Sequence, residues 1–426
     1  MRRGQIAFLG VALAALGCAQ ATSSGALPMT PRPSEAARQP VVSASPPIAA
    51  LPSSATPTAS TVRRNWQPAA EMVDERQGFD AVVLGSGAVL AVGSDLDCAP
   101  GGAQPGSERA EAFDPGADAW SVVESLNKPR KNPATVVLRN GSALVLGGVN
   151  PDDVPYSSTK VFDDVARSWG DGPLLEYARE RPVAATLDDG RVLVVSEDGA
   201  SDGVVTAELA DPALTEWAPV RSPPSFVSVF DLVALPDGRA LGLGTDGRDS
   251  EPAPAALVYD ATADTWTEVE GLARFAAAYL ALADGTVLAI GGSGGGELWG
   301  DTRAAVQDVA SFDPATGRWT PVASMSTARL AHQSTVLSDG RVLVAGGTTV
   351  EASSGEPLPI SSTELYDPST DTWTTVGDLK EPRYGGLLVS LRDGSALILG
   401  GTGETDAGVD LPFCPAPLTT VERFWP

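Results

Sequence analysis

Residues 319–347 read W-T-P-V-A-S-M-S-T-A-R-L-A-H-Q-S-T-V-L-S-D-G-R-V-L-V-A-G-G. The apolar run ahead of Asp339-Gly340 and the run Val342–Ala345 behind it predict the two arms of a hairpin. Asp-Gly readily takes the two positive φ angles of a type I′ turn, so a two-residue turn is expected there. Gly346-Gly347 then breaks the second strand. After a loop comes T-E-L-Y-D-P-S-T-D-T-W at 363–373, which predicts a third strand around Glu364–Tyr366, a turn at Asp367-Pro368 and a fourth strand opening at Trp373. A sheet of four short antiparallel strands cannot bury both faces alone, so the unit requires neighbours like itself.

The chain supplies them. A hairpin glycine recurs seven times, at Gly87, Gly141, Gly190, Gly238, Gly285, Gly340 and Gly394. A fourth-strand tryptophan also recurs seven times, at Trp66, Trp120, Trp169, Trp217, Trp266, Trp319 and Trp373. An aspartate stands six residues before six of these, at Asp114, Asp163, Asp211, Asp260, Asp313 and Asp367. A period of roughly 50 residues with glycine pairs and a tryptophan is the mark of a kelch propeller. On these residues the chain resembles the kelch family, in the bacterial form M-x-x-x-R…L-x-D-G-R-V-L-V-x-G-G, over roughly 64–426. The resemblance implies an all-β, seven-bladed propeller, distantly similar to the central domain of galactose oxidase. The third and fourth copies are the least regular, with Ser196-Glu197 and Gly244-Thr245 in place of the glycine pair.

The manner of closure follows from where the chain enters the repeat. Asn65–Arg76 matches Arg318–Arg329 position for position, and Thr419–Pro426 matches the segment that begins the third strand at 361–368. The domain therefore starts on a fourth strand and ends on a third. One blade is expected to combine 385–401 and 418–424 with 65–69, which leaves no long open sheet edge.

Three regions precede or make up this domain: 1–18, 19–62 and 63–426. Arg2 and Arg3 followed by the apolar run Ile6–Leu16 have the layout of a secretory signal, too short to span a bilayer permanently. The run ends Ala-Leu-Gly-Cys at 15–18, which resembles a bacterial lipobox and implies lipidation of Cys18. Residues 19–62 are dominated by Ser, Thr, Pro and Ala and bury too little to offset ordering entropy, so they are expected to form a disordered tether. An exported envelope protein on the outer membrane or surface is expected, or a periplasmic or secreted one without the lipid. The other two cysteines, Cys98 and Cys414, fall in equivalent loops of the first and seventh repeats, either side of the closure. A disulfide between them would latch the ring in an oxidising compartment; two separate thiols is the alternative.

The formal charge is −25, and the chain has only four lysines, Lys128, Lys131, Lys160 and Lys380. Such a surface repels nucleic acid and anionic lipid headgroups; it could attract a basic partner or cations, or be simply a solvated acidic surface. Loops after the second strands carry many carboxylates, Asp152, Asp153, Glu197 and Asp246 among them, without the spacing of a calcium loop. No metal or cofactor is expected. Eleven residues before the hairpin glycine, six of seven repeats carry an arginine: Arg76, Arg130, Arg179, Arg274, Arg329 and Arg383, with Val227 in the fourth. These are candidate ligand-binding residues, bidentate toward a carboxylate. Equally, each could tie its loop to backbone carbonyls of the neighbouring blade. Trp299, in the glycine-rich loop Ser293–Arg303, has no counterpart in the other repeats and is a candidate anchor for a partner or a sugar.

Galactose oxidase, which the fold resembles, needs two histidines and a tyrosine–cysteine crosslink around copper. This chain has one histidine, His332, so copper oxidation lacks its ligands. No nucleophile elbow accompanies His332 either. The residues point to a non-catalytic module that binds a protein. A carbohydrate-binding or metal-free sugar-isomerising propeller is the alternative.

Overall fold

The computed structural model describes residues 65–76, 78–94, 107–197, 204–246, 253–269, 274–293, 305–350, 357–403 and 418–426. The signal and tether, Cys18, Cys98, Cys414 and Trp299 lie outside them. Among the described residues there are seven four-stranded antiparallel sheets and one small two-stranded sheet. Blade six, the repeat quoted above, consists of Gln333–Val336, Val342–Ala345, Thr363–Asp367 and Thr372–Val376. Blade one runs from Asp80–Val83 to Ala119–Val122, and blade two from Ala134–Val137 to Ser168–Asp171. The first strand of each blade lies against the first strands of both neighbours, and the series closes between blades seven and one. The protein is a seven-bladed β-propeller.

Blade seven joins both ends of the chain. Leu387–Ser390, Ala396–Leu399 and Val421–Phe424 are completed by Trp66–Pro68, with Trp66 opposite Phe424. The two rings sit 5.3 Å apart, and the Trp66 indole N–H donates to Thr363 Oγ1 of blade six at 3.0 Å. Elsewhere the repeated tryptophans do a related task. Trp120, Trp169, Trp266 and Trp373 each donate to a backbone carbonyl 45–50 residues earlier, in the loop leaving the preceding blade.

Burial is graded along each blade. Second strands such as Val89–Val92 and Val342–Ala345 are buried along their whole length, whereas fourth strands such as Thr372–Val376 are mostly exposed. This explains why the second strands are unbroken apolar runs: sheets packed on both faces have no polar side to alternate with. Seven apolar clusters hold the ring, one between each pair of blades. Leu280, Leu288 and Ile290 of blade five, for example, pack on Val342, Val344 and Tyr366 of blade six.

The hairpin turn differs from the two-residue type I′ form that Asp-Gly predicts. Only the glycine takes positive φ (Gly340, 87°); Asp339 does not. Gly340 N–H donates to Leu337 O at 2.9 Å, and Leu337 N–H donates to Arg341 O at 2.8 Å. The loop is thus of the three-residue class, a turn closed by a left-handed residue. Asp339 instead uses its carboxylate, accepting the Arg341 N–H at 3.1 Å. The repeated third-strand aspartates cap the next turn in the same manner, Asp114 accepting from Gly116 and Ala117, and Asp367 from Ser369. Blade four departs most from the pattern. Its strands Phe226–Ala234, Arg239–Asp246 and Ala253–Asp260 are longer, with register shifts on the first between Phe226 and Ser228 and between Val229 and Asp231.

His332 is buried at the blade five–six boundary, and neither ring nitrogen has a hydrogen-bond partner. Burial, aided by the Arg329 charge, lowers its pKa to about 3. It stands eight residues before its hairpin glycine, the place occupied by Phe79 and Phe230 in blades one and four. Phe79 faces Gly400 of blade seven as His332 faces Gly291 of blade five, so a phenyl ring fits that contact. His332→Phe should therefore stabilise the fold by about 1–2 kcal/mol at neutral pH, since it removes two unsatisfied polar atoms. The imidazole protonates in the unfolded chain near its ordinary pKa of 6.5 but in the folded chain only near 3. Wild-type stability should accordingly fall as pH drops through that window. Urea unfolding across pH 3–8 checks both: the variant should gain at neutral pH and lose this acid-limb slope, and an unchanged slope refutes the assignment.

Candidate binding face

One face of the ring is built from the loops entering each blade and the loops between its second and third strands. They meet in short bridges: Lys131 with Val149, Phe275 with Ser293, Leu330 with Thr348 and Tyr384 with Thr402. The six repeated arginines lie in the entering loops, and all are buried, Arg76, Arg130, Arg179 and Arg329 completely. Each makes the same contact. Nη1 of Arg76, Arg130, Arg274, Arg329 and Arg383 donates to the carbonyl of the residue 17 positions later, which is Gly93, Gly147, Gly291, Gly346 or Gly400. In Arg179 the residue at that spacing is Ser196, and its hydroxyl accepts at 3.3 Å. The same Nη1 also reaches the carbonyl just ahead of the third strand, Ser362 O at 2.9 Å from Arg329 and Thr420 O at 2.9 Å from Arg383. The carbonyls belong to the blade that the loop enters, not to the neighbour it leaves.

A glutamate on the third strand completes the clamp in four blades, and the sequence reading missed it. Arg76 pairs with Glu111, Arg179 with Glu208 and Arg329 with Glu364 at 2.9 Å, and Arg383 with Glu422 at 3.1 Å. The same carboxylates accept backbone N–H groups of the entering loop. Glu364 takes those of Ser326 and Thr327, Glu111 those of Val73 and Asp74. A buried ion pair is tolerated only when its remaining hydrogen-bonding capacity is met, and here the loop backbone meets much of it. The signal was present: Glu111, Glu208 and Glu364 each stand three residues before the repeated aspartate. Desolvation pulls the guanidinium pKa of Arg329 and Arg383 down, and the carboxylates beside them push it back.

Three blades depart from the clamp. Blade five has Arg274 beside Asp308 at 3.9 Å, without the third-strand glutamate. Blade four has Val227 and Leu257 at the two clamp positions, and Phe226 and Leu257 join one apolar cluster. Blade two keeps Arg130 but has Lys160 at the glutamate position, so the buried guanidinium has no carboxylate among the described residues. It packs instead on the Tyr156 ring at 4.8 Å, and desolvation lowers its pKa to about 10.

Nearer the axis, Asp80 on the first strand of blade one accepts the N–H of Thr135 in blade two at 2.7 Å and that of Ala81 at 2.8 Å. Burial outweighs these bonds and raises its pKa to about 7. Among the described residues no three His, Cys, Asp or Glu side chains are grouped to hold a metal, and no helix is long and apolar enough to cross a membrane.

The model of the kelch motif matches residues 329–380, from the blade-six clamp arginine to the exit of that blade. The chain carries a kelch motif. Curated proteins similar to it bear kelch names. Human kelch-like protein 34 is 28% identical over half of this chain and a third (33%) of its own length. An Arabidopsis thaliana F-box/kelch-repeat protein is 34% identical over 28% of this chain and 30% of its own. Mouse kelch-like protein 40 is 29% identical over 49% and 32%. The chain spans about a third of the length of these relatives. Among solved structures, a fungal alcohol oxidase of the AA5 family in complex with copper aligns with a TM-score of 0.62 over 85% of this chain and 76% of that one. At 18% identity this likeness concerns the fold alone.

If the clamp works as a pair, Glu364→Leu alone should cost about 3–5 kcal/mol, because it leaves Arg329 buried without a counter-charge. Adding Arg329→Met should recover much of that loss, since it removes the uncompensated buried charge. Urea unfolding of both single variants and the double variant checks this; additive losses would mean that the two residues are not coupled.

Proposed function

We propose that this chain is a non-catalytic binding module, exported and held at the cell envelope by a lipid on Cys18, and that its ligand is another protein. The observation that carries the reading is how the repeated polar residues are used. The arginines that could have formed a ligand-binding ring have their donors turned to backbone carbonyls and glutamates within the blades. What is left on the face is loop surface that differs from blade to blade, which suits one specific partner better than a repeated small-molecule site. In the kelch family that the sequence resembles, ligands bind on this face. Trp299 in the blade-five loop adds a large anchor with no task in the repeat. Residues 19–62 would give the propeller reach away from the membrane, and a Cys98–Cys414 bond would latch it.

The test is crosslinking and capture of the full-length protein from its own envelope, followed by mass analysis. A reproducible partner that is lost on Trp299→Ala is expected. Intact mass should give a mature chain beginning at a lipidated Cys18, with Cys98 and Cys414 together two hydrogens short. A chain that captures no protein and instead carries a tightly held sugar would overturn the protein-binding reading. An unmodified N-terminus would overturn the anchor.

A further inference from the structure

The chain has five asparagines, Asn65, Asn127, Asn132, Asn140 and Asn150, and of these only Asn140 is followed by glycine. Asn140 and Gly141 form the tip of the first hairpin of blade two, where Asn140 is exposed. The glycine is imposed by the ring. Gly141 has a φ of 87°, and a Cβ on it would stand 2.6 Å from Cα of Gly85 in the hairpin of blade one. Gly85 N–H also donates to Gly141 O at 2.8 Å. No side chain fits between these two backbones, so the asparagine is followed by the least hindered backbone nitrogen that a chain can offer.

Asn140 Oδ1 accepts the Ser142 N–H at 3.0 Å, which draws electron density away from the side-chain amide carbon. One hydrogen bond holds the glycine nitrogen back, from Gly141 N–H to Leu138 O at 2.9 Å. The strand ladder ends at Val137 opposite Ala143, so this bond at the tip opens with the pairing of the blade intact. Five other blades carry an aspartate at the same place, Asp189, Asp237, Asp284, Asp339 and Asp393. Each accepts the N–H of the second residue on, at 2.9–3.1 Å, as Asn140 does.

We propose that Asn140 is a modification site, a non-enzymatic deamidation that the fold directs toward the aspartate its other blades carry. The Gly141 nitrogen loses its proton to solvent base and attacks Cγ of Asn140. The new C–N bond closes a cyclic imide, and the side-chain nitrogen leaves as ammonia after taking a proton from water. Water then adds to one of the two imide carbonyls and breaks that carbon's bond to the Gly141 nitrogen. Opening at Cγ gives aspartate on an ordinary backbone. Opening at the main-chain carbonyl gives isoaspartate, whose backbone runs through Cβ and Cγ and is one atom longer. The fold separates the two products. Aspartate reproduces the turn seen at Asp339 and adds one negative charge to the hairpin face of blade two. Isoaspartate lengthens the backbone where it is pressed against Gly85, and a close-packed seam has no room for the extra atom.

The test incubates the full-length folded protein in mildly alkaline buffer beside a sample unfolded in urea. Both are digested at mildly acidic pH, where the reaction is slow, and the Asn140 peptide is followed by mass spectrometry with its aspartate and isoaspartate forms separated by chromatography. In the folded protein, conversion is expected at Asn140 and not at Asn65, Asn127, Asn132 or Asn150, at a rate that rises with pH. The ratio of aspartate to isoaspartate should be several-fold higher from the folded protein than from the unfolded one. Asn140→Asp should unfold at the same urea concentration as the wild type, and Asn140→Gln should abolish the conversion. A folded protein that keeps Asn140 intact while the unfolded sample converts would overturn the site. The same product ratio in both samples, or early unfolding of Asn140→Asp, would overturn the direction by the fold.

Discussion

The structure turns on a guanidinium buried where the chain passes from one blade to the next. Each crossing carries backbone N–H and carbonyl groups into a region closed off by neighbouring sheets, and those groups need partners there. One arginine donates to two carbonyls of the blade being entered, and the third-strand glutamate returns acceptors to two N–H groups of the crossing loop. The clamp therefore satisfies the loop and welds it to the second and third strands at once. The apolar clusters between blades supply most of the burial, but they are non-directional. In blades one, three, six and seven the clamp ties the crossing loop to its own sheet.

The ring shows several solutions to that one constraint. Blades one, three, six and seven use the full ion pair. Blade four carries neither charge: Val227 stands at the arginine position but is exposed, and Phe226 packs with Leu257 in one apolar cluster. This agrees with the general finding that a buried pair and a well-packed apolar replacement are close in energy. Blade two keeps the cation and loses the anion, and it meets the deficit with the face of Tyr156.

Much of the architecture was legible in the residues. Glycines and tryptophans at a fixed period predicted the blade count. The match of Asn65–Arg76 to Arg318–Arg329 predicted which strand the N-terminus supplies, and Trp66 indeed pairs with Phe424 in blade seven. These features are local: a turn that needs positive φ at one residue, or an apolar run buried on both faces, writes itself into adjacent positions. The hairpin turn was misjudged because Asp-Gly is compatible with two loop lengths, and only the Leu337–Arg341 hydrogen bond decides between them.

The arginines show the boundary most clearly. Their recurrence at a constant distance from the hairpin glycine is a property of the sequence alone, and it says only that the repeat uses them. Whether a guanidinium faces a ligand or a carbonyl depends on which acceptors the fold brings within hydrogen-bonding distance, and those lie 17 to 39 residues away in the chain. The clustering of Lys128, Arg130 and Tyr156 likewise arises because two separate loops converge over blade two. The sequence by itself determined the number of blades, the order of strands and the way the ring closes, because periodic burial and turn geometry are encoded locally. Only the tertiary structure decided which charges are spent inside the blades and which are left over on their face, because charge balance is settled between residues that meet only after the ring has formed.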